Sequence, residues 1–164
     1  EVINYSKKYL KKINNGSLNN KKVKIFEMDA SYYIQNTKVK YDVIIADRPD
    51  PVGAGKNLFK SNFYKNIRKA LSQKGVAVFQ SGVPFLQKKE LTEVIKNTKK
   101  YFKFSGIILT VVPSYIGGYM ALVWVSKNTD LKISKIKNPR IKTNYYNYDI
   151  CKASFYLPNF IKKM

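Results

Sequence analysis

At 164 residues, 45% hydrophobic and 14% aromatic, the chain is about one globular domain; no stretch is apolar for long enough to span a bilayer and no secretory signal opens it, so a cytoplasmic protein with no membrane partner is expected. His 0 and the single Cys151 exclude histidine catalysis, a disulfide framework and a CxxC metal site, and no metal is expected. The net charge of +21 would attract nucleic acid, but apart from Arg48, Arg68 and Arg140 the cations are lysines scattered among asparagines, and arginine is the residue expected where bases are read; the charge reads as compositional drift, and no nucleic-acid partner is expected.

Along the chain, helix and strand alternate. Val2, Tyr5, Tyr9, Leu10 and Ile13 recur at helical spacing, and Asn14-Asn15-Gly16 ends that helix. Val23 to Phe26 is a strand candidate followed by Glu27-Met28-Asp29, and a short helix is predicted over Ser31 to Gln35. Val43-Ile44-Ile45-Ala46 is an apolar run between turn signals, which suits a strand buried on both faces of a parallel sheet. Phe59, Phe63, Ile67, Ala70 and Leu71 mark one face of a helix stopped by Lys74-Gly75. Val76 to Phe79 is the next strand, with Gln80-Ser81-Gly82 at its end; Leu91, Val94, Ile95, Tyr101 and Phe102 mark a further helix. Strands over Ile107 to Val112 and Met120 to Val125 flank Pro113 to Gly118. Residues 128–144 are polar and read as a surface connection, and the aromatic tail Tyr145 to Met164 is expected to pack back on the body.

These elements predict an α/β sheet wound on both faces. The link between the final two strands is too short for a parallel crossover, so that pair is expected to be antiparallel. A mostly parallel sheet with an antiparallel final pair is the plan of the Rossmann-like methyltransferase fold.

Ligands of such sheets bind beyond the carboxyl ends of the strands. Asp29, Asp47 and Asp50 fall at such ends, as do Gln80 and Tyr115. Asp47 and Asp50 lie in the loop stiffened by Pro49 and Pro51; the same spacing also fits a solvated acidic turn capping the next helix. An acidic cleft in a basic protein favours a cationic ligand. One carboxylate can take the proton of an attacking amine while a second holds a distal ammonium, which suits transfer of a carbon group to a diamine. Tyr115 offers a hydroxyl or an aromatic face for a cation, or ordinary loop packing. Gly53-Ala54-Gly55-Lys56-Asn57 imitates a phosphate-binding loop, but Asp50 stands where that pattern needs Gly and Asn57 where it needs Ser or Thr. An Asp in the cradle would repel phosphate, so nucleotide-triphosphate binding is not expected.

The motifs YDVIIADRPDPVGAGKNLF, FQSGVPFL, VPSYIGGYMALVWVSK and NYYNYDICKASFYLP run through nearly the whole chain. In that order they resemble the C-terminal half to two-thirds of spermidine synthases, the aminopropyltransferases. The resemblance implies transfer of the aminopropyl group of decarboxylated S-adenosylmethionine, a co-substrate, to putrescine, giving spermidine and methylthioadenosine, with no prosthetic group. It matches Asp47 to the catalytic base, Asp50 to a carboxylate that helps hold the diamine, and Gln80 and Tyr115 to diamine-pocket residues. Asp29 matches the acid that binds the adenine amino group, with Ala30 beside it in place of a Gly. The full-length protein is expected to be a homo-oligomer.

The chain departs from the family pattern in several places. Arg48 replaces a small hydroxyl residue, and its side chain is expected to point away from the cleft, toward solvent or another acid. Ala54 replaces a proline, Lys56 a common Glu, and Cys151 a common His. The family's glycine-rich cofactor turn, its ribose-binding acid and its small N-terminal β domain have no counterpart in residues 1–164, and Glu1 is not that acid. The chain therefore reads as one catalytic-type α/β domain lacking its first two core strands, with the strand at 43–46 exposed at an edge, the strand at 23–26 cut off, and no activity of its own. The alternatives are a polyamine N-methyltransferase using S-adenosylmethionine, and a non-catalytic remnant or basic binding module.

Overall fold

The computed structural model describes residues 1–137 and 142–164. Arg140 and part of the connection expected over 128–144 lie outside the described residues. The chain opens with α1 (Val2–Tyr9) and α2 (Lys11–Asn14), and the backbone leaves them through Asn15 and Gly16, both at positive φ. Next, α3 (Ala30–Asn36) starts at Asp29, whose carboxylate accepts from the Tyr32 amide at 2.8 Å and so satisfies one of the orphan donors of the first turn.

Four strands form the sheet: β1 (Tyr41–Ala46), β2 (Leu71–Gln80), β3 (Phe104–Val111) and β4 (Tyr119–Ser126), in the order β1-β2-β4-β3. β2 pairs parallel with β1 and antiparallel with β4, and β4 pairs antiparallel with β3. Hence β1, β2 and β3 all run one way and β4 alone is reversed. The predicted antiparallel final pair is present, with β4 inserted between β2 and β3. The carboxyl ends of three strands and the β3–β4 loop therefore share one edge.

Helix α4 (Ser61–Ala70) buries Phe63, Tyr64, Ile67 and Ala70, and its Tyr64 ring packs edge-on against Phe79 of β2 at 5.1 Å. Helix α5 (Lys88–Lys99) buries Leu91 and Val94 in the same core. The tail does fold back: α6 (Tyr148–Ala153) is followed by the Ser154 carbonyl, which accepts from the Leu109 amide at 2.8 Å, and α7 (Asn159–Lys162) buries Ile161.

Three expectations need correction. The helix predicted to reach Leu71 and stop at Lys74-Gly75 ends at Ala70, and β2 begins at once. Leu71 pairs with Tyr41 and Val76 with Val43, so Ser72 to Gly75 bulge between those pairs. Gly75 is there because a Cβ would lie 2.8 Å from the Tyr41 carbonyl oxygen. No strand forms at 23–26 among the described residues, because the strand order leaves it no ladder partner; Val23, Ile25 and Phe26 are exposed. Finally, β1 is not buried on both faces. Ile44 and Ala46 pack on the core, whereas Val43 and Ile45 are 62% and 76% exposed on an edge strand.

An exposed apolar edge strand is a template for pairing with another chain. The purified 164-residue chain is expected to self-associate in sedimentation velocity, and Ile45→Lys, which puts a charge on that edge, is expected to shift it toward monomer. Unchanged association would place the contact elsewhere.

Candidate active site

The site is built by the ladder. Ala46 pairs with Phe79 in parallel register, so Asp47, the first residue past β1, comes level with Gln80, the last residue of β2, which still pairs with Leu122 of β4. Asp47 is exposed and lines a cavity of about 650 Å³ that wraps the outer edge of β1; Ala30, Ile45 and Arg48 line it too. Asp29 itself is tied to the start of α3, next to that lining residue Ala30.

The loop after Asp47 turns back sharply. The Val52 amide donates to the Asp50 carbonyl at 2.6 Å, and a Cβ on Gly55 would lie 2.7 Å from the same oxygen. The glycines that imitate a phosphate cradle thus let the chain close over Asp50. The loop continues as a 3-10 segment, Gly53–Phe59, into α4.

Asp50 is exposed, and its carboxylate is held from the other side of the cleft. Gln87 Nε2 donates to Asp50 Oδ1 at 2.9 Å while Gln87 Oε1 accepts from the Val83 amide at 2.7 Å. Gly82, at φ 85, makes room: a Cβ there would meet Gln87 Oε1 at 2.8 Å. Three residues on, in the first turn of α5, half-buried Glu90 has its pKa raised, first by burial and then by the charge of Asp50, with a Gln87 hydrogen bond opposing. Sequence reasoning missed both Gln87 and Glu90. Their signal was the Gln-x-x-Glu spacing just past FQSGVPFL, which reads equally well as an ordinary polar helix start.

Gln80 is half-buried; the one hydrogen bond of its side-chain amide among the described residues is to the Met120 sulfur, at 3.4 Å. Tyr115 sits in the β3–β4 loop, 49% exposed, with its amide on the Val112 carbonyl and its carbonyl accepting from Gly118. The structure therefore brings Asp47, Asp50 and Gln80 to one edge, puts Tyr115 in the loop above that edge, and places Ala30 with Asp47 on the cavity.

Arg48 corrects the expectation that it points to solvent or an acid. It is 3% exposed, and it makes no ion pair among the described residues. Its guanidinium donates to the Leu58 carbonyl, the Tyr64 hydroxyl and the Gln80 carbonyl, each at 2.8 Å, and lies over the Phe59 ring at 3.9 Å. Burial lowers its pKa, opposed by Tyr64, and burial likewise raises that of Tyr64. The planar cation prefers aromatic faces and a fork of acceptors to water here. No group of His, Cys, Asp and Glu arranged to hold a metal occurs among the described residues, and no described helix is long and apolar enough to cross a membrane.

Residues 1–135 match the spermine/spermidine synthase domain. The chain is 39% identical over 167 residues to the polyamine aminopropyltransferase of Buchnera aphidicola subsp. Acyrthosiphon pisum, covering 98% of this chain and 58% of that one. It is 33% identical to that of Ruegeria sp., covering 99% and 60%. It superimposes on the crystal structure of a spermidine synthase in complex with the transition-state analogue AdoDATO with a TM-score of 0.89 at 30% identity, over 99% of this chain and 57% of that one. With the spermidine synthase of Thermotoga maritima the TM-score is 0.86 at 29% identity, over 99% and 56%. The chain thus spans somewhat more than half the length of the relatives it matches.

The raised pKa of Glu90 gives the site a measurable signature. Its raised pKa means that the folded state disfavours the charged form. That penalty is full above the folded pKa and vanishes below the ordinary value of 4.5, where the group is neutral in both states. Glu90→Gln is therefore expected to raise Tm at neutral pH and to leave it unchanged near pH 3.5, about one unit below that value. Equal effects at both pH values would contradict this origin.

Proposed function

We propose, from the premise that this chain belongs to the spermine/spermidine synthase domain family, that the protein containing it moves the aminopropyl group of decarboxylated S-adenosylmethionine onto putrescine. The observation that carries this reading is the placement of Asp47 beside Gln80 at adjacent strand ends, with Asp50 held against Gln87 three residues further on. Its relatives are named for this chemistry, and a spermidine synthase of closely similar fold binds a transition-state analogue.

In this reading, an amine nitrogen attacks the methylene carbon next to the sulfonium sulfur. The new C–N bond forms as the C–S bond breaks, and methylthioadenosine leaves neutral. The ammonium proton passes to the Asp47 carboxylate, which is exposed to the incoming amine. Asp50 attracts the other ammonium of the diamine and so fixes the angle of attack. Gln80 and Tyr115 add hydrogen-bonding or aromatic contacts from the same edge. Asp29 and Ala30 stand where the adenine end of the donor would rest. Its carboxylate is already oriented by the start of α3.

The donor is a substrate, and the reaction needs no prosthetic group. The remaining part of the protein would add strands along the outer edge of β1 and a glycine-rich turn against the donor, and the whole would form a homo-oligomer.

In the active protein, Asp47→Asn is expected to lower kcat by about two to four powers of ten, the usual loss of a general base. Asp50→Asn is expected to raise the KM for putrescine with a smaller effect on kcat. Near-normal turnover by Asp47→Asn would remove it as the base. Equal loss of kcat in both variants at saturating putrescine would overturn the division of roles. Methyl transfer from S-adenosylmethionine itself would point to an N-methyltransferase instead. The 164-residue chain alone is expected to release no methylthioadenosine above the uncatalysed background.

A further inference from the structure

A guanidinium without a carboxylate is costly to bury, so its surroundings show what it is there to hold. Arg48 lies between the two acids in sequence, yet its side chain runs under the sheet edge, away from them. Its three acceptors come from separate pieces of the site. Leu58 belongs to the 3-10 segment that ends the acidic loop, Tyr64 to α4, and Gln80 to the carboxyl end of β2. Phe59, at 3.9 Å, and Phe79, at 5.2 Å, hold the plane of the fork. The Nε group finds no partner among the described residues, so the terminal nitrogens make all of its hydrogen bonds. A side chain that only filled volume would not spend a charge on three carbonyl and hydroxyl acceptors in fixed directions.

Among the described residues, the acidic loop has further ties in its own turn hydrogen bonds, in Gln87 on Asp50, and in Leu58 and Phe59 packed against the core, while Asp47 and Asp50 themselves are exposed. We propose that Arg48 is a positioning residue for the amine site, an inference that rests on the aminopropyl-transfer reading above. It clamps the loop carrying Asp47 and Asp50 to the backbone of Gln80 and so sets the span across which a diamine is held. It does this through the loop: Arg48 borders the cavity, but the residue is 3% exposed and the hydrogen bonds of its guanidinium go to Leu58, Tyr64 and Gln80.

The test uses the active protein and the variants Arg48→Lys and Arg48→Thr. Lysine keeps the charge but has a single nitrogen, which cannot reach three divergent acceptors. A misplacement of about 1 Å costs on the order of a hundredfold in rate. The kcat/KM for putrescine is therefore expected to fall by about ten- to a hundredfold, with the KM for the aminopropyl donor little changed. In parallel, amide hydrogen exchange is expected to quicken in residues 47–59 of both variants and to stay unchanged in the buried face of α5, Leu91 to Thr98. A lower Tm with both kinetic parameters for putrescine intact would show a purely structural residue and overturn the proposal. Exchange that is unchanged, or raised uniformly, would overturn it as well. Should Arg48→Thr fail to fold, Arg48→Lys carries both readouts. If the wild-type protein itself forms no product from putrescine, the reading of the reaction falls, and the exchange arm still decides for or against the clamp.

Discussion

The parallel ladder of Val43–Ala46 against Val76–Phe79 is the constraint on which the rest of this edge depends. Side chains alternate along a strand, so a slip of one residue would turn Ala77 and Phe79 out of the core and set Asp47 beside Phe79 or Ser81. Both Ala77 and Phe79 are completely buried, and that burial opposes such a slip. The bulge at Ser72 to Gly75 takes up the extra length that follows α4, and Gly75 lets β2 come close to the Tyr41 carbonyl. Helix, bulge and ladder together deliver two strand ends in step.

The electrostatics of the edge are local. A net charge of +21 is spread over lysines along the whole chain, and salt screens exposed charges beyond about 8–10 Å. At this edge Asp47 lines the cavity, and the charge of Asp50 acts on Glu90. The ion pairs found among the described residues join Lys132 to Asp130 and Lys152 to Asp149, away from these three. No described cation neutralises Asp47 or Asp50, so their charge is available to an ammonium. Of the loop's two cations, Lys56 is exposed, and Arg48 is taken up by carbonyls, a hydroxyl and aromatic rings. The cavity that Asp47 lines also carries Lys22 and Lys24, so the acidic character belongs to the strand ends and their loop and not to the whole cavity.

Much of this was legible in the sequence. The apolar run of β1 and its Asp-x-x-Asp-Pro loop placed both acids at a strand end, and the six-residue link Pro113–Gly118 required β3 and β4 to pair antiparallel. What stayed hidden depends on contacts distant in sequence. Gln87 matters because it reaches Asp50, 37 residues away, and Arg48 because it reaches Gln80, 32 residues away. Charge alone gave Arg48 the wrong destination. A cation beside two acids suggests solvent or an ion pair, and only the aromatic rings gathered by α4 and β2 make burial the better choice. The end of α4 was misplaced because Leu71 continues the helical apolar spacing, while its pairing with Tyr41 is settled by the sheet.

The strand candidate at 23–26 and the outer face of β1 mislead for the same reason. Apolar spacing reports the environment for which a segment is suited, whether or not that environment lies within the chain. Val43 and Ile45 suit a strand covered on both faces, yet they border an open cavity. Val2, Tyr5, Tyr9 and Ile13 have the spacing of a packed helix face, yet all are exposed. Exposed apolar residues that recur with structural periodicity, on elements next to one another in sequence, differ from the isolated ones any surface carries. The chain spans 58% of the length of its Buchnera relative, and under the proposed function these faces would be ones that other parts of the protein cover. On that proposal, strands added to the outer edge of β1 would cover Ile45 and narrow the cavity shared by Ala30 and Asp47.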